Sequence, residues 1–489
     1  MSSVISSHSL GKQLSGWQSG DGGHGGAATR LSAAIAQRVL DGQIPLHTRL
    51  PSERDLAGEL RVSRTTIASA YARLREQGFL ASKQGAGSWT TMPDRSNGAV
   101  GPLVPGIVGD DGTLDMGCAA PGATASAVID AYTAAAAALP AELLRAGAHA
   151  DHGYHPYGLG VLRAALAERF TARGVPTSVE QILVTIGGQG AISLLAHVLV
   201  HERDMVLIEQ PSYPNAADAL RRTRARLVGV PVTSQGWDDT FAEALAQSRP
   251  KLAYVIPEFQ NPTGALMTAA EREHLVRAAR AAGTLVIADE SLVDLPLDGQ
   301  EMPPPVAAFD VDGRVITVGS LSKSFWGGMR IGWIRATPRL IRDLASARSS
   351  IDMGTPVVDQ LAAIHVLGRA EELVAVRRAE LRRGRDTLEA SLREHLPQRQ
   401  WTRPTGGLSL WVTLDRPLST ALTDAAGRQG VHLAAGPRFG LDGTLERFLR
   451  LPFTLHEADL RECVLRLAAA NRELDERGTH WRAPSSVVA

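Results

Sequence analysis

Only four of the 51 cationic residues in this chain are lysines: Lys12, Lys83, Lys251 and Lys323. A chemistry that needs a side-chain amine therefore has few candidates. Lys323 lies in GSLSKSFWGGMRIGW (319–333), a Gly- and Ser-rich stretch that also holds Arg330. TIGGQG (185–190) joins an apolar run to a helical one, and backbone amides at such a helix start suit a phosphate. NPTG (261–264) is a turn sequence placed after LAYVI. ADE (288–290) closes the run TLVI and puts Asp289 at the carboxyl edge of a strand. Taken singly, each has an ordinary reading: a Gly-rich connection, a turn, a solvated carboxylate, a surface lysine. Their order along one chain sets them apart.

Those segments need elements to carry them. ILVTIG, MVLIE, LAYVI, TLVIADE and VITVG are short, β-rich and nearly continuous in hydrophobicity, as buried parallel strands are. AISLLAHVLVHE, NAADALRRTRA and AEREHLVRAARAAG between them read as helices, so the alternation predicts an α/β domain. From about 351 to 478 the chain is more helical and Arg/Leu-rich, with one strand candidate in GLSLWVTL.

Composition limits the alternatives. With 44% hydrophobic and 21% charged residues and zero net charge, the 489-residue chain is globular, not fibrous or wholly disordered. Cys118 and Cys463 cannot form a disulfide framework or a zinc-ligand spacing, and read as packing residues. His201 and His274 sit in helical stretches without a partner motif and read as solvated or capping. No secretion signal and no run of ~18 apolar residues is present, so a cytoplasmic protein without membrane contact is expected.

Residues 1–28 are Ser/Gly-rich without an apolar period and are expected to form a flexible leader. Residues 29–92 form a first domain, 93–113 a Pro/Gly/Asp-rich linker, 114–478 the large domain and 479–489 a tail. In the first domain Leu31, Ile35 and Val39 mark one helical face. A second helix is predicted from Ser52 and a third from Ser63, ending at Gly78. FLASKQGAGSWTT then reads as two strands around a Gly-rich turn. Residues 30–92 carry nine Arg/Lys against five Asp/Glu, and the second and third helices form a helix-turn-helix with a cation and hydroxyls at its recognition end.

PSERDLAGELRVSRTTIASAYARLREQGFL, followed by QGAGSWT, resembles the winged helix-turn-helix of GntR-type transcription regulators. The resemblance implies contacts to double-stranded operator DNA from Arg54, Ser63, Arg64, Thr65, Thr66 and the wing-tip Gly85. Arg64 would suit a bidentate guanine contact and Thr66 a phosphate or methyl contact. Ala68 stands where the family often has an arginine, which leaves the operator open.

TIGGQG, NPTG, ADE and SLSK, in that order, resemble the fold type I aminotransferases from about residue 114 to 478. The resemblance implies pyridoxal 5′-phosphate (PLP), with Lys323 as its Schiff-base lysine. Asp289 would face the pyridine nitrogen, Asn261 the ring hydroxyl, and Tyr213 the ring face. Gly188, Gln189, Ser320, Ser322 and Arg330 would hold the phosphate. Tyr154 is expected to reach a partner subunit's phosphate, with Tyr157 a rival by register. Arg450, in FLRLPF, would take a ligand carboxylate or else cap a strand. The tyrosine that aminotransferases usually place shortly after the aspartate is absent; Ser291 and Leu292 follow Glu290.

A GntR-type reader joined to an aminotransferase-like domain resembles the MocR family of regulators. The fold expected is therefore α/β, a winged helix-turn-helix followed by PLP-dependent transferase large and small domains. The function implied is a PLP-dependent, homodimeric DNA-binding regulator that senses an amino acid, another amine or PLP itself through imine exchange at Lys323, used for sensing instead of turnover. The alternative is a catalytically active aminotransferase carrying a DNA-binding head.

Overall fold

A computed structural model describes residues 4–18, 26–83, 87–92, 112–143, 152–237 and 239–476. The expected linker falls almost entirely outside these residues, as does the tail.

The N-terminal unit is built on helices α1 (Ser7–Gln13), α2 (Ala27–Leu40), α3 (Glu53–Leu60) and α4 (Arg64–Glu76). An antiparallel hairpin of β1 (Leu80–Lys83) and β2 (Gly87–Thr90) follows. Leu31, Ile35 and Val39 of α2 are buried against Leu56, Ile67, Tyr71 and Leu74. The helix starts follow capping chemistry: Ser52 Oγ accepts from Asp55 N at 3.2 Å and Ser63 Oγ from Thr66 N at 3.1 Å. Gly78, at φ +77°, lies just past the end of α4 in a conformation that other residues rarely adopt.

The leader reading requires correction. Residues 4–18 are part of this unit: Ser6 caps α1, and Ile5, Leu10 and Leu14 are buried in its core. Ile5 N also donates to Arg49 O at 3.1 Å. These three apolar residues are too sparse to give a period, and a seven-residue helix is not stable alone. Burial against α2 and α3 supplies what local sequence lacks.

The large sheet contains β4 (Ile182–Ile186), β5 (Met205–Gln210), β6 (Arg226–Pro231), β7 (Leu252–Val255), β8 (Leu285–Asp289), β9 (Val315–Ser320) and β10 (Ile331–Arg335), preceded in the chain by β3 (Leu114–Met116). Its order is β4-β10-β9-β8-β7-β5-β6, with β10 antiparallel to both neighbours and β6, β5, β7, β8 and β9 parallel. Separate apolar clusters cover its two faces. The parallel strands therefore end together at one carboxyl edge, where open α/β sheets take their ligands.

The C-terminal part holds more strand than the single candidate foreseen. A second sheet has the order β11-β12-β14-β13-β3, from β11 (Gln400–Trp401), β12 (Ser409–Thr413), β13 (Val431–Ala435) and β14 (Phe448–Pro452). The short strands VHLAA and FLRLP flank a glycine-rich connection, and their backbone pairing becomes evident only against β12 and β3. Helices Ala370–His395 and Glu457–Glu476 contribute leucines to the apolar cluster beside this sheet.

The two parts meet through backbone. Leu445 N donates to Leu40 O, at the end of α2, at 2.7 Å. Nearby, Gln210 Nε2 donates to Thr444 Oγ1 at 3.1 Å, and a Cβ on Gly42 would fall 3.0 Å from Leu445 Cδ2.

Leu10 is 0% exposed, so Leu10→Ala should destabilise the N-terminal unit by about 2–5 kcal/mol. The exposed Lys12→Ala should change it by less than ~0.5 kcal/mol. Denaturant unfolding followed by circular dichroism measures both.

Candidate functional site

A cavity of about 460 Å³ opens at the carboxyl edge of the large sheet, beside the second sheet. Lys323, Asp289, Asn261, Tyr213, Gly188, Gln189, Ser320, Ser322, Arg330 and Arg450 all line it. Residues spread over more than 260 positions of sequence thus converge, most because the strands of the large sheet end together and Arg450 because β14 of the second sheet lies beside that edge.

At one end lies the anion cradle. Gly187 opens the helix Gly187–Leu199 at φ +68°, and a Cβ there would fall 2.6 Å from Arg330 Nη2. The turn must be glycine for the guanidinium to lie against it. Arg330 donates to the carbonyls of Ile186 and Gly327, at 3.1 and 3.5 Å. Ser320 Oγ donates to Ser322 Oγ at 3.0 Å and accepts from Ser322 N at 3.2 Å. Gln189 Nε2 reaches Asn215 O at 3.1 Å.

In the middle, Lys323 Nζ donates to Ala119 O at 2.9 Å. Burial lowers the proton affinity of its ammonium, with Arg450 and Arg330 adding to the effect and Cys118 and Asp289 opposing it. Burial raises the Asp289 carboxyl, against hydrogen bonds from Ser291 and from Tyr254 Oη, the latter at 2.7 Å. Asn261 Oδ1 is buried without a hydrogen-bond partner among the described residues. Its loop is pinned from below. Fully buried Arg272 donates to Glu258 Oε1 at 2.7 Å and to Met267 O at 3.0 Å. Gln260 Nε2 ties the same loop to Pro211 O at 2.7 Å, next to the turn that carries Tyr213.

At the far end, Arg450 is 3% exposed. Its Nη2 donates to Gly117 O, the guanidinium lies 4.8 Å from the Phe439 ring centroid, and Nε has no partner among the described residues. Burial lowers its proton affinity, to a pKa of about 10, so it remains a cation at neutral pH. A buried cation with a spare donor favours an anion.

These features fit PLP on their own chemistry: an anion cradle with an arginine, an amine of lowered proton affinity, a buried carboxylate, and an orphaned amide oxygen. Not every anticipated residue joins them. Tyr154 is 56% exposed and outside the cavity wall, and Tyr157 lies under the Arg163 guanidinium at 5.3 Å from its ring centroid. Arg54, Ser63, Arg64 and Thr65 are exposed on the N-terminal unit and Thr66 is half-buried. Arg64 Nε lies 3.6 Å from Glu53, while the Ser63 hydroxyl is engaged in capping. Gly85 lies outside the described residues. Sequence reasoning missed Tyr254, whose hydroxyl is the one polar group in the apolar run LAYVI, and also Ser291, Ala119 and Phe439.

Residues 124–467 match the family model "Aminotransferase class I and II", and residues 27–89 match "Bacterial regulatory proteins, gntR family". A solved relative, the α-aminoadipate aminotransferase LysN of Thermus thermophilus complexed with N-(5′-phosphopyridoxyl)-L-leucine, shares 28% identity. It superposes with TM-score 0.67 over 75% of this chain and 94% of its own. The HTH-type transcriptional regulator YisV of Bacillus subtilis (strain 168) is 25% identical over 90% of this chain and 94% of its own. The Rhizobium meliloti protein named "Probable rhizopine catabolism regulatory protein MocR" is 31% identical over 64% of this chain and 65% of its own.

Fold and site together define an aminotransferase-type PLP domain behind a DNA-reading head. The chain belongs to the class I and II aminotransferase family, in the MocR-type arrangement with a GntR-type domain in front.

Because the Lys323 amine loses its proton more readily than an ordinary lysine, the rate of PLP uptake by apoprotein should climb with pH to a midpoint below 10.5. Stopped-flow absorbance reads this profile. Borohydride treatment of the loaded protein should leave a stable adduct that peptide mapping locates on Lys323, and Lys323→Ala should abolish it.

Proposed function

We propose that this chain is a PLP-dependent transcription regulator whose large domain binds a carboxylate-bearing amino compound and passes that occupancy to the operator-reading head. The observation that carries the ligand class is Arg450, a buried cation with an unused donor, in one cavity with Lys323. Bound there, PLP supplies an aldehyde carbon that a primary amine can engage in place of Lys323. The residues do the rest. Gly188, Gln189, Ser320, Ser322 and Arg330 would hold the phosphate, Tyr213 would cover the ring, Asn261 would hydrogen-bond its hydroxyl, and Asp289 would face its nitrogen. Lys323, whose proton affinity burial lowers, would supply a base in the same cavity.

The route to DNA is supported by residues 436–448. Phe439 lies against Arg450, its carbonyl accepts from Ser212 N at 3.0 Å beside Tyr213, and Leu445 meets the end of α2. A ligand that favours one placement of this segment over another biases the head by the difference in its affinities for the two. Tyr154, exposed and outside its own cavity, fits a role in a second subunit, so a homodimer with two heads is part of the proposal.

The presence together of the lysine, aspartate, asparagine and both arginines favours one other reading, an aminotransferase with a DNA-binding head. Turnover of an amino acid with a keto acid at roughly 1–10³ s⁻¹ would establish that reading instead.

An amino compound that binds the large domain should shift operator affinity about 5–150-fold, the usual range of coupling between sites. Gly42→Val, which crowds Leu445 and puts a β-branched residue at φ +70°, should reduce that shift towards unity. Arg64→Ala should weaken operator binding by about 1–3 kcal/mol and leave PLP binding unchanged. Fluorescence anisotropy with labelled duplex tests all three.

A further inference from the structure

We propose that Asp115 and His432 form a positioning pair that fixes the Gly117 carbonyl on Arg450 and thereby sets the preference of the cavity for amines that carry a carboxylate. This rests on the reading of Arg450 as the carboxylate residue. Neither Asp115 nor His432 belongs to any of the cofactor motifs.

The pair exists because β3, far away in sequence, runs parallel beside β13 and puts Asp115 opposite His432. His432 Nδ1 lies 2.9 Å from Asp115 Oδ1. The same oxygen accepts from Gly117 N at 2.8 Å, a turn in which an aspartate side chain fixes the backbone two residues on. The Cys118 amide, in the same peptide as the Gly117 carbonyl, also bonds Asp115, and that carbonyl accepts from Arg450 Nη2. The ring also packs directly on Gly117: a Cβ there would fall 2.5 Å from His432 Nδ1 and Cε1. Imidazole, carboxylate, glycine backbone and guanidinium thus form one continuous chain, and Asp115, Gly117, His432 and Arg450 all line the cavity.

The electrostatics agree with the geometry. Hydrogen bonding to Asp115 raises the imidazole of His432 above its ordinary range. Burial would raise Asp115, yet His432 and the amides of Gly117 and Cys118 hold it lower. As a surface ion pair the two would contribute little to stability, since the His432 side chain is 49% exposed. What the pair does achieve is orientation. Without it the Gly117 peptide is free to turn, and the guanidinium loses its only hydrogen-bond acceptor among the described residues.

The test uses the full-length protein loaded with PLP and two probes, L-alanine and ethylamine, which differ only by the carboxylate. Each is titrated against the visible absorption of the cofactor, and the ratio of the two affinities is read. Asp115→Ala and His432→Ala should each lower the ratio about ten-fold, a change of ~1.4 kcal/mol, with ethylamine affinity unchanged. Asp115→Asn keeps an oxygen for Gly117 N and should restore most of the ratio. Arg450→Met should collapse the ratio, and PLP uptake by each variant confirms its fold. If Arg450→Met leaves the ratio intact, or the parent binds both probes equally, the carboxylate reading of Arg450 fails and this inference with it. If Arg450→Met collapses the ratio while both alanine variants hold it within two-fold, the pair is merely structural and the inference alone is overturned. Should Asp115→Ala fail to take up PLP, the half-exposed His432→Ala carries the decision.

Discussion

A sheet buried on both faces can meet a ligand only at its edge, and this constraint organises the whole molecule. Most strands that end at the carboxyl edge deliver a group there: β4 the helix start at Gly187, β8 Asp289, and β9 Ser320 with the stretch to Lys323. β5 and β7 lead into the turns that present Tyr213 and Asn261. The second sheet closes the cavity from outside, and β3 brings residues 115–119 across to it. Chemistry is concentrated because the apolar faces leave it nowhere else to go.

Concentration has an electrostatic cost. Asp289, Lys323 and Arg450 all line one cavity, and burial moves each towards its neutral form. The directions suit their places differently. At Asp289 the effect of burial is countered by donors from Tyr254 and Ser291, which favour its carboxylate form. Lys323 gains nucleophilicity by losing charge. Arg450, whose intrinsic proton affinity is far higher, stays charged and keeps one donor unpartnered among the described residues. Beneath them, Arg272 and Glu258 pair in full burial and fix the loop of Asn261, a use of buried charge for placement more than for stability.

Much of this was legible in the chain. Apolar runs followed by glycines or acids announced the strands and their functional ends, because a buried parallel strand cannot hide its hydrophobicity. The helix caps at Ser52 and Ser63 were readable for the same local reason. What escaped was tertiary. Ile5, Leu10 and Leu14 have no period, and only the slots they fill reveal their role. Strands β10, β13 and β14 are five residues each and are defined by pairing, not pattern. Asp115 and His432 lie more than 300 positions apart, so no spacing rule could join them.

The join between the head and the large domain includes a main-chain hydrogen bond, Leu445 N to Leu40 O, whereas Arg64 and Thr65 at the start of α4 are exposed side chains. Backbone groups persist through substitution, and the two surfaces share no residue. A lineage could therefore rewrite which promoters the protein reads without retuning how the large domain grips the reader. In engineering terms, on the proposed reading the exposed face of α4 is the exchangeable cartridge, and the end of α2 is the fixed socket.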